Sequence, residues 1–375
     1  MLRIAIVTNE LPPYRVPLFS LLSKMPGVVL QVILCTLREP NRRWVLPPLD
    51  FGYICLREKV IEKGGRYIHN NIDVISALRK FSPDVIITGG FNPTHMYALA
   101  YALAKGIPHV PMTDGTDRSE LSLSTMHTLI RRFVFTRSKA FLAASDGGLR
   151  LFRKYRVPSD RCYKVPLCID NRLFAAKDAP VRREFDFVFC GRIEEIKNPL
   201  FALRVAIGTA RVLQRKTRIL FVGTGEQEAL LRHCADIDAD LVDAHFQGFI
   251  AHADLPPYYW NARIFLFPTQ GDVWGVVANE ACAAGLPVIT TPFAGAAGEL
   301  IRDGENGYVC ALHLEQWIDR AVLLLTQEQT WRTFSHNSVE RVGEYSYDRA
   351  ALNMAEACRR AVSGIPGGFV QKVGH

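Results

Sequence analysis

Two basic residues in the second half of the chain have the types and spacing to bind a diphosphate. Arg192 and Lys197 lie five residues apart, directly after the apolar run 185–190. At the carboxyl end of a strand they could converge on one anion, the arginine through its planar fork and the lysine as a point charge. The alternative is that both are solvated and pair with Glu194 and Glu195.

Two acidic residues, Asp272 and Glu280, lie eight positions apart where a strand runs into an apolar helix. Because that helix is apolar on nearly every side, Glu280 should be buried and should need hydrogen-bond donors. Two neighbouring ribose hydroxyls would suit an ionised carboxylate. Asp272 precedes the helix start, where free N–H groups attract anions. There is an alternative for each residue: Glu280 could lie on a solvent-exposed edge of the helix, and Asp272 could serve only as the helix cap.

The elements that must position these residues follow from the alternation of short apolar runs with segments of helical period. That alternation predicts parallel sheets with helices on both faces, a doubly wound α/β fold. The predicted strands are residues 3–8, 28–36, 84–88, 109–112, 140–144, 185–190, 218–222, 241–246, 263–267 and 286–291. The predicted helices are residues 16–25, 72–81, 94–105, 124–136, 146–155, 198–213, 227–234, 275–284 and 296–301, with only helices from 315 onward.

A length of 375 residues fits two domains, and a polar, proline-containing stretch marks the boundary between them. We predict a first Rossmann-like domain over 1–175, a linker over 176–184 and a second Rossmann-like domain over 185–345. A terminal helix over 346–364 and a frayed tail over 365–375 follow. Ligands bind at the carboxyl ends of strands in such sheets, so we expect the chemistry in a cleft between the two domains.

The charge is uneven, because residues 1–180 carry 26 Lys and Arg against 14 Asp and Glu in a chain of net charge +8. This asymmetry favours an anionic partner, and we expect peripheral contact with an anionic membrane or a lipid-linked acceptor; a merely solvated basic face is the alternative. No nucleic-acid motif accompanies the basic residues, so we expect no nucleic-acid partner. No apolar run could span a bilayer and no signal peptide precedes the first strand, which predicts a cytoplasmic protein.

Neither the cysteines nor the acidic clusters indicate a metal site. The nine cysteines are dispersed without a CxxC pair, which is typical of reduced core thiols. The run Asp236-Ile-Asp-Ala-Asp240 lacks the glycine and distal glutamate of a calcium loop. The sequence therefore predicts no metal and no cofactor.

Five motifs within residues 185–310 occur together in the order and spacing of one known family. They are Gly191-Arg192 with Lys197-Asn198, Val222-Gly-Thr-Gly-Glu226, Gln247-Gly-Phe-Ile250, Asp272 with Glu280 and Gly285-Leu-Pro-Val-Ile289, and Gly304-Glu-Asn-Gly307. They resemble the donor domain of glycosyltransferase family 4. The stretch Pro12–Phe19 is more loosely similar to members that build surface glycans. The resemblance implies two facing Rossmann-like domains (the GT-B architecture), a terminal helix that crosses back to the first domain, and metal-independent transfer with retained anomeric configuration.

Carried over to this sequence, the resemblance implies three catalytic residues. Arg192 and Lys197 would hold the donor diphosphate, and Asp272 with the N–H groups of Gly275 and Val276 would face the transferred sugar. No second carboxylate is placed for a covalent intermediate, so front-face transfer is the expectation of the family.

The remaining implied contacts belong to the nucleoside. Glu280 would bind the ribose, and the backbone at Phe249 and Ile250 would bind the base. Gly191 and Gly225 would let the backbone approach the donor.

The sequence departs from the family pattern in the first half and at one catalytic position. Asp272 stands where the family usually has a glutamate, one methylene longer. The loop after the first strand lacks the glycines that many members place near the phosphate. Where many members have a histidine near the sugar, this chain has Thr113-Asp114-Gly115, which predicts that Asp114 contacts the sugar or the acceptor.

The sequence thus predicts a retaining glycosyltransferase that moves a sugar from a UDP- or GDP-sugar to a glycan or lipid-linked acceptor bound by the first domain. Two alternatives remain open. One is a nucleotide-sugar epimerase on the same fold, for which the first half offers few acid and base residues. The other is an inactive nucleotide-sugar-binding partner subunit, to which the Asp272 departure and the missing glycine loop lend weight.

Overall fold

The computed structural model describes residues 1–40, 46–57, 59–63, 66–121, 123–175 and 183–364. These residues form two compact units. Unit 1 comprises Met1–Leu167 and the C-terminal segment from Tyr347, and unit 2 comprises Cys168–Ser346. Most of the predicted linker (176–182) and the predicted tail (365–375) lie outside the described residues.

Unit 1 is built on a parallel seven-stranded sheet flanked by helices. Its strands are β1 (Leu2–Thr8), β2 (Val28–Leu34), β3 (Gly52–Cys55), β4 (Val60–Lys63), β5 (Arg66–His69), β6 (Val85–Thr88), β7 (His109–Thr113), β8 (Phe141–Ala143) and β9 (Cys162–Lys164). Its first five helices are α1 (Val16–Lys24), α2 (Val74–Phe81), α3 (Pro93–Lys105), α4 (Thr125–Arg137) and α5 (Asp146–Lys154). The strand order is β3-β2-β1-β6-β7-β8-β9, while β4 and β5 form a separate antiparallel pair.

Unit 2 repeats this architecture on a parallel six-stranded sheet of order β12-β11-β10-β13-β14-β15. The strands are β10 (Phe185–Cys190), β11 (Thr217–Val222), β12 (Val242–Phe246), β13 (Ala262–Phe267), β14 (Val288–Thr290) and β15 (Gly307–Val309). The helices are α6 (Asn171–Phe174), α7 (Pro199–Leu213), α8 (Glu228–Ile237), α9 (Pro256–Trp260), α10 (Val276–Ala283), α11 (Leu314–Thr326) and α12 (Glu328–Val342). Its core packs the fully buried Phe187, Phe221 and Trp317 between the sheet and its helices.

The predicted doubly wound fold is confirmed, including the helical end of the chain. The C-terminal helix Tyr347–Ser363 belongs to unit 1, where it packs on α1 and β9. Its buried face carries Ala350, Met354, Ala357, Cys358 and Ala361, the apolar stripe of helical period. Within the described residues, no helix is long and apolar enough to cross a bilayer.

The predicted helix over 296–301 is wrong. The segment is a series of turns in which the carbonyl of Ala296 accepts from the N–H groups of Glu299, Leu300 and Ile301. Gly298 has φ 77, outside the helical region, and interrupts any regular helix there. Five short strands were also missed: β3, β4, β5, β9 and β15, the last of which begins at the end of the Gly304–Gly307 motif.

Candidate functional site

The strand order of unit 2 places the predicted site at one crevice of the sheet. The chain moves outward from β10 through β11 to β12, then returns to the other side of β10 as β13. The order therefore reverses between β10 and β13, which pair in parallel. Their carboxyl ends lie side by side, and the loops that follow them are residues 191–198 and 268–275. Such a switch point is where ligands bind in open α/β sheets.

The structure brings Lys197 and Asp272 together across this crevice. Lys197 Nζ lies 2.5 Å from Asp272 Oδ2, and both side chains are more than four-fifths buried. Asp272 Oδ1 also accepts from the N–H of Trp274 at 3.1 Å, so the aspartate fixes the turn before α10 as well. The cation is therefore held at the switch point by a carboxylate 75 positions away in sequence.

Arg192 lies on the same loop as Lys197 but is far more exposed. Its Nη1 is 2.7 Å from Glu194 Oε2, and 66% of its side chain is accessible. The pairing with Glu194 that was the sequence alternative is thus present for Arg192, whereas Lys197 pairs with Asp272 and not with Glu195. An exposed, solvated guanidinium can exchange its carboxylate for a phosphate at low cost.

A cavity of about 390 Å³ lies beside this loop and is lined by Glu194, Glu195, Ile196, Glu226 and Gln270. Three carboxylates in one cavity would repel a diphosphate. If a donor binds, its phosphates are therefore better matched to the Lys197 side of the loop than to this cavity.

Backbone packing explains the glycines of the predicted motifs. Gly191 N donates to Val222 O and Ile193 N donates to Thr224 O, so the loops after β10 and β11 are joined backbone to backbone. A Cβ on Gly223 would lie 1.9 Å from Gly191 O, and one on Gly225 would lie 2.3 Å from Ile193 O. The predicted contact of Gly225 with a donor remains a prediction, because its packing alone already requires glycine.

Gly223→Ala should therefore destabilise the protein far more than Gly248→Ala. Both glycines have positive φ (131° and 70°), but a Cβ on Gly248 meets nothing within 4 Å. We expect Gly248→Ala to cost about 1 kcal/mol for its conformation alone. Gly223→Ala should cost about 3 kcal/mol or more because the two loops must also separate. Denaturant unfolding measures both, and equal losses would contradict the packing argument.

The turn from β13 into α10 also depends on close packing. Gly275 has φ 91, and a Cβ there would lie 2.5 Å from the ring of Phe267. Gly275 precedes Val276, the first residue of α10, whose N-terminal N–H groups are an electropositive end. Gly275, Val276 and Asp272 therefore belong to one turn, as predicted from the sequence spacing.

Glu280 is buried in the middle of α10, as its apolar surroundings predicted, with 4% of the residue exposed. Tyr259 Oη donates to Glu280 Oε2 at 2.6 Å, and His252 Nε2 lies 3.3 Å from Oε1. Burial raises the pKa of Tyr259 well above its usual value, so the phenol remains a donor. An ionised carboxylate has about four lone-pair sites, which leaves capacity for further hydroxyl donors.

Phe249 and Ile250 lie on the loop between β12 and the 3₁₀ turn His252–Asp254. The Phe249 side chain is 68% exposed. Among the described residues, neither of their N–H groups donates to a backbone carbonyl. Two unpaired backbone amides on an exposed loop next to His252 are consistent with the predicted contact to a base, and that contact remains a prediction.

His252 should make the stability of unit 2 depend on pH. Its hydrogen bond to Glu280 raises the His252 pKa above 6.5. Because the folded-state pKa is raised, the stabilisation is complete below the unfolded pKa and is lost as pH rises through the folded one. The His252 side chain is half exposed, so the contribution should be under about 1 kcal/mol. Chemical denaturation should therefore show a larger loss for His252→Gln at about pH 6 than at about pH 9, and an equal loss would refute the coupling.

Unit 1 has a pocket at its own switch point, between β1 and β6, where its strand order reverses. The cavity is about 390 Å³ and is lined by the loops after β1, β6 and β7. Asp114, the sugar or acceptor contact predicted from the sequence, lines it and lies 2.5 Å from Nη2 of Arg15. Arg15 belongs to the Pro12–Phe19 stretch, but nothing in its sequence context predicted that it would pair with Asp114.

Arg131, although it lies on the basic helix α4, is not a surface residue. Its side chain is about nine-tenths buried, lies 2.6 Å from Glu120 and stacks on the ring of Phe91 at 4.4 Å. It lines the pocket of unit 1 and cannot contact a membrane. Arg132 and Arg137 on the same helix remain exposed.

No group of three or more His, Cys, Asp or Glu side chains in the described part of the chain has a metal-binding arrangement. The Asp236–Asp240 run begins in the last turn of α8 and continues into the connection to β12, and Asp238 pairs with Arg211 at 3.4 Å. All nine cysteines are free thiols, and burial raises the pKa of Cys190, next to Glu280, to about 12.

Two family models match the chain. One, described as Glycosyltransferase Family 4, matches residues 32–173, and the other, described as Glycosyl transferases group 1, matches residues 184–327. The first lies within unit 1 except for its last residues, and the second lies within unit 2.

Curated relatives match the chain over about half of its length. The chain is 28% identical over 233 residues to a D-inositol 3-phosphate glycosyltransferase of Paenarthrobacter aurescens, which covers 57% of this chain and 55% of the relative. It is 23% identical over 202 residues to the GtfA subunit of a UDP-N-acetylglucosamine–peptide N-acetylglucosaminyltransferase of Streptococcus pneumoniae, covering 53% of this chain and 38% of the relative. The chain thus spans about half the length of the curated relatives it matches.

Solved structures share the fold over almost the whole chain. Anabaena HepE in complex with UDP superposes with a TM-score of 0.74 at 13% identity, covering 96% of this chain and 100% of that one. A sucrose-phosphate synthase from Thermosynechococcus elongatus superposes with a TM-score of 0.70 at 16% identity, covering 97% and 100%. At this identity the likeness shows the two-domain fold alone.

Proposed function

We propose that this chain, which matches a Glycosyltransferase Family 4 model over 32–173 and a Glycosyl transferases group 1 model over 184–327, transfers a sugar from a nucleoside-diphosphate donor to a hydroxyl acceptor with retained anomeric configuration. Unit 2 binds the donor. UDP is the first candidate for the nucleotide, since the solved structure of HepE contains it. The acceptor is a glycan or a lipid-linked glycan bound by unit 1.

The observation that carries the proposal is the pair of Lys197 and Asp272 at the switch point of unit 2, beside the start of α10. A diphosphate placed there meets Lys197, the exposed Arg192 and the N-terminal N–H groups of α10. The pentose of the same nucleotide then has Glu280 within reach, because Glu280 lies one turn further along the face of α10 that begins at Val276. The base lies along the loop of Phe249 and Ile250.

The chemistry follows from where charge develops. As the anomeric C–O bond breaks, negative charge grows on the diphosphate, and Lys197 and Arg192 stabilise it together with the N–H groups of Gly275 and Val276. Asp272 keeps Lys197 in place before the donor arrives and borders the site of the transferred sugar. In front-face transfer the leaving phosphate removes the proton from the acceptor hydroxyl, so no covalent sugar–enzyme bond forms.

A panel of UDP-, GDP- and dTDP-sugars tests the proposal. We expect one donor to be hydrolysed slowly without acceptor, and its released sugar to appear first as the donor's own anomer in proton NMR. An isomerised nucleotide sugar would indicate an epimerase. Binding without turnover in the presence of a broad acceptor mixture would indicate an inactive partner subunit. Either result would reject a retaining transferase.

Metal independence makes a separate prediction. Because two side-chain cations and a helix N-terminus neutralise the leaving diphosphate, EDTA should leave the donor turnover within about two-fold of its rate without chelator. The same assay with added magnesium or manganese should show no large gain. Loss of turnover in EDTA, restored by one of these metals, would contradict the assignment of charge neutralisation to Lys197 and Arg192.

A further inference from the structure

The pocket of unit 1 lies where a ligand is expected in a doubly wound sheet. Its walls are the loop after β1, the Gly89–Phe91 loop after β6 and the Thr113–Gly115 loop after β7. These three neighbouring strands end at the same edge of the sheet, and the strand order reverses between β1 and β6. Its volume of about 390 Å³ is within the range of small-molecule sites.

We propose that this pocket binds an uncharged, hydroxyl-bearing sugar or polyol, and that it disfavours the phosphorylated form of the same molecule. The inference rests on the proposed function, since the occupant would be the reacting end of the acceptor. It restricts the acceptor's reacting end to uncharged sugars and polyols, although the net positive charge of the chain would suggest an anionic ligand.

Arg15 supplies the first reason. The residue is 5% exposed, and its Nη2 is bound by Asp114. Its Nη1 is also buried, yet it has no hydrogen-bond partner among the described residues. A buried donor without a partner is costly, so an oxygen atom of a ligand is the natural acceptor for it. A hydroxyl or ring oxygen of a sugar can fill this role.

The charge of the lining supplies the second reason. Among the residues that the structure describes, the pocket is lined by four carboxylates, those of Glu10, Glu39, Asp114 and Glu120, against the two guanidinium groups of Arg15 and Arg131. Each guanidinium already lies within 2.6 Å of a carboxylate. A phosphate would meet an excess of negative charge among these described groups, and the carboxylates of Glu10, Glu39 and Glu120 are buried, so their repulsion is weakly screened.

Hydroxyl groups face no such penalty. An ionised carboxylate accepts from several donors at once, and Asp114, whose side chain is 38% exposed, can take hydroxyl donors in addition to Arg15. The pocket also has apolar walls formed by Tyr14, Phe91 and Met112, which suit the C–H faces of a sugar ring. Carboxylates, one donating guanidinium and aromatic walls together match a neutral polyol.

The test compares matched neutral and phosphorylated probes on the full-length protein saturated with UDP. Methyl α-glucoside, N-acetylglucosamine and myo-inositol, and a phosphate monoester of each, would be titrated by saturation-transfer NMR. We expect at least one neutral probe to bind about 10-fold or more tightly than its phosphate ester. Equal or tighter binding of the esters, or no binding by any neutral probe, would overturn the inference.

UDP titration of the same sample separates this inference from the proposed function. If the protein binds UDP but no neutral probe, the inference about the pocket is wrong and the proposed donor site stands. If it binds neither UDP nor a neutral probe, both the inference and the proposed donor site are contradicted.

Variants sharpen the test. Arg15→Lys, which keeps the charge but loses the second N–H group, should weaken the neutral probe about 10-fold or more. Glu62→Gln, on an exposed strand position outside the pocket, is the matched unit 1 control and should not change it. Thermal melting checks folding, and Asp114→Asn replaces Arg15→Lys if the latter does not fold. Unchanged affinity of a folded variant for the neutral probe would overturn the role of the pocket. The comparison of neutral and phosphorylated probes uses the wild-type protein and does not depend on the variants.

Discussion

Lys197→Ala is expected to lower donor turnover by about 100-fold or more, a loss of about 3 kcal/mol of transition-state stabilisation. The Lys197 ammonium is more than four-fifths buried beside the start of α10, where screening by water is weak. In the proposed mechanism it stabilises charge that develops on the leaving diphosphate, so the loss should fall mainly on kcat. Steady-state hydrolysis of the donor, with kcat and KM resolved, measures it.

Lys216→Ala is the matched control, because Lys216 is an exposed lysine of the same unit. Asp272→Asn tests the other member of the ion pair. It should hold Lys197 less firmly and lower kcat by a smaller factor than Lys197→Ala does. The double variant should lose less than the sum of the two single losses, because both substitutions affect the Lys197 cation. Activity within a few-fold of wild type for Lys197→Ala would reject its assignment.

Glu280→Gln is expected to weaken binding of the nucleoside diphosphate by about 10- to 100-fold, the range for hydrogen bonds to a charged group. The amide keeps the shape of the side chain and can still accept from Tyr259 Oη, but it loses the charge and half of the acceptor capacity. The effect is specific to the ribose. The wild-type protein should therefore bind the 2′-deoxy nucleotide more weakly than the ribonucleotide, and Glu280→Gln should bind the two almost equally.

Calorimetric titration of both nucleotides with both proteins measures this coupling directly. Glu305→Gln, an exposed glutamate of unit 2, serves as the control. Tyr259→Phe removes one donor to Glu280 and should weaken both nucleotides together, because it disturbs the position of Glu280 and not a ribose hydroxyl. Equal discrimination by the wild type and Glu280→Gln would show that Glu280 is only a structural carboxylate of the buried Tyr259 network.

The sequence predicts the long central elements of the fold because their periodicity is strong. β10 was predicted with its full range, and the other central strands differ by one or two residues at their ends. The missed strands β3, β4, β5, β9 and β15 are only three or four residues long, which is too short for a periodic pattern to stand out. The wrong helix at 296–301 follows Gly295, where a Cβ would lie 1.9 Å from Val273 O. A contact between two turns of this kind leaves no periodic signal.

The location of the site could be predicted, but its internal pairing could not. Parallel strands end at one edge, so the residues after β10 and β13 had to be neighbours once the strand order was known. Lys197 pairs with Asp272 and not with the nearby Glu195 because of the geometry of the loop, which the sequence does not reveal. Tyr259, a core aromatic by sequence, acts as a donor to Glu280 only because α9 packs against α10.

The net charge of the first half was also an incomplete guide to the kind of ligand that unit 1 binds. An excess of basic residues over 1–180 suggested an anionic partner, yet the described lining of the unit 1 pocket has more carboxylates than guanidinium groups. Net charge averages over a surface, whereas binding depends on the few groups that face the ligand. Contact of the exposed Arg132 and Arg137 with an anionic membrane remains a proposal, compatible with an uncharged sugar in the pocket.

A crystal structure of the protein with its nucleoside diphosphate is the most direct test of the account. We expect diphosphate oxygens within hydrogen-bond distance of Lys197 Nζ and of the N–H groups of Gly275 or Val276, with Arg192 turned from Glu194 to the phosphate and the ribose hydroxyls on Glu280. A nucleotide bound elsewhere in unit 2, with Lys197 still paired only to Asp272 and Glu280 contacted only by Tyr259 and His252, would contradict it.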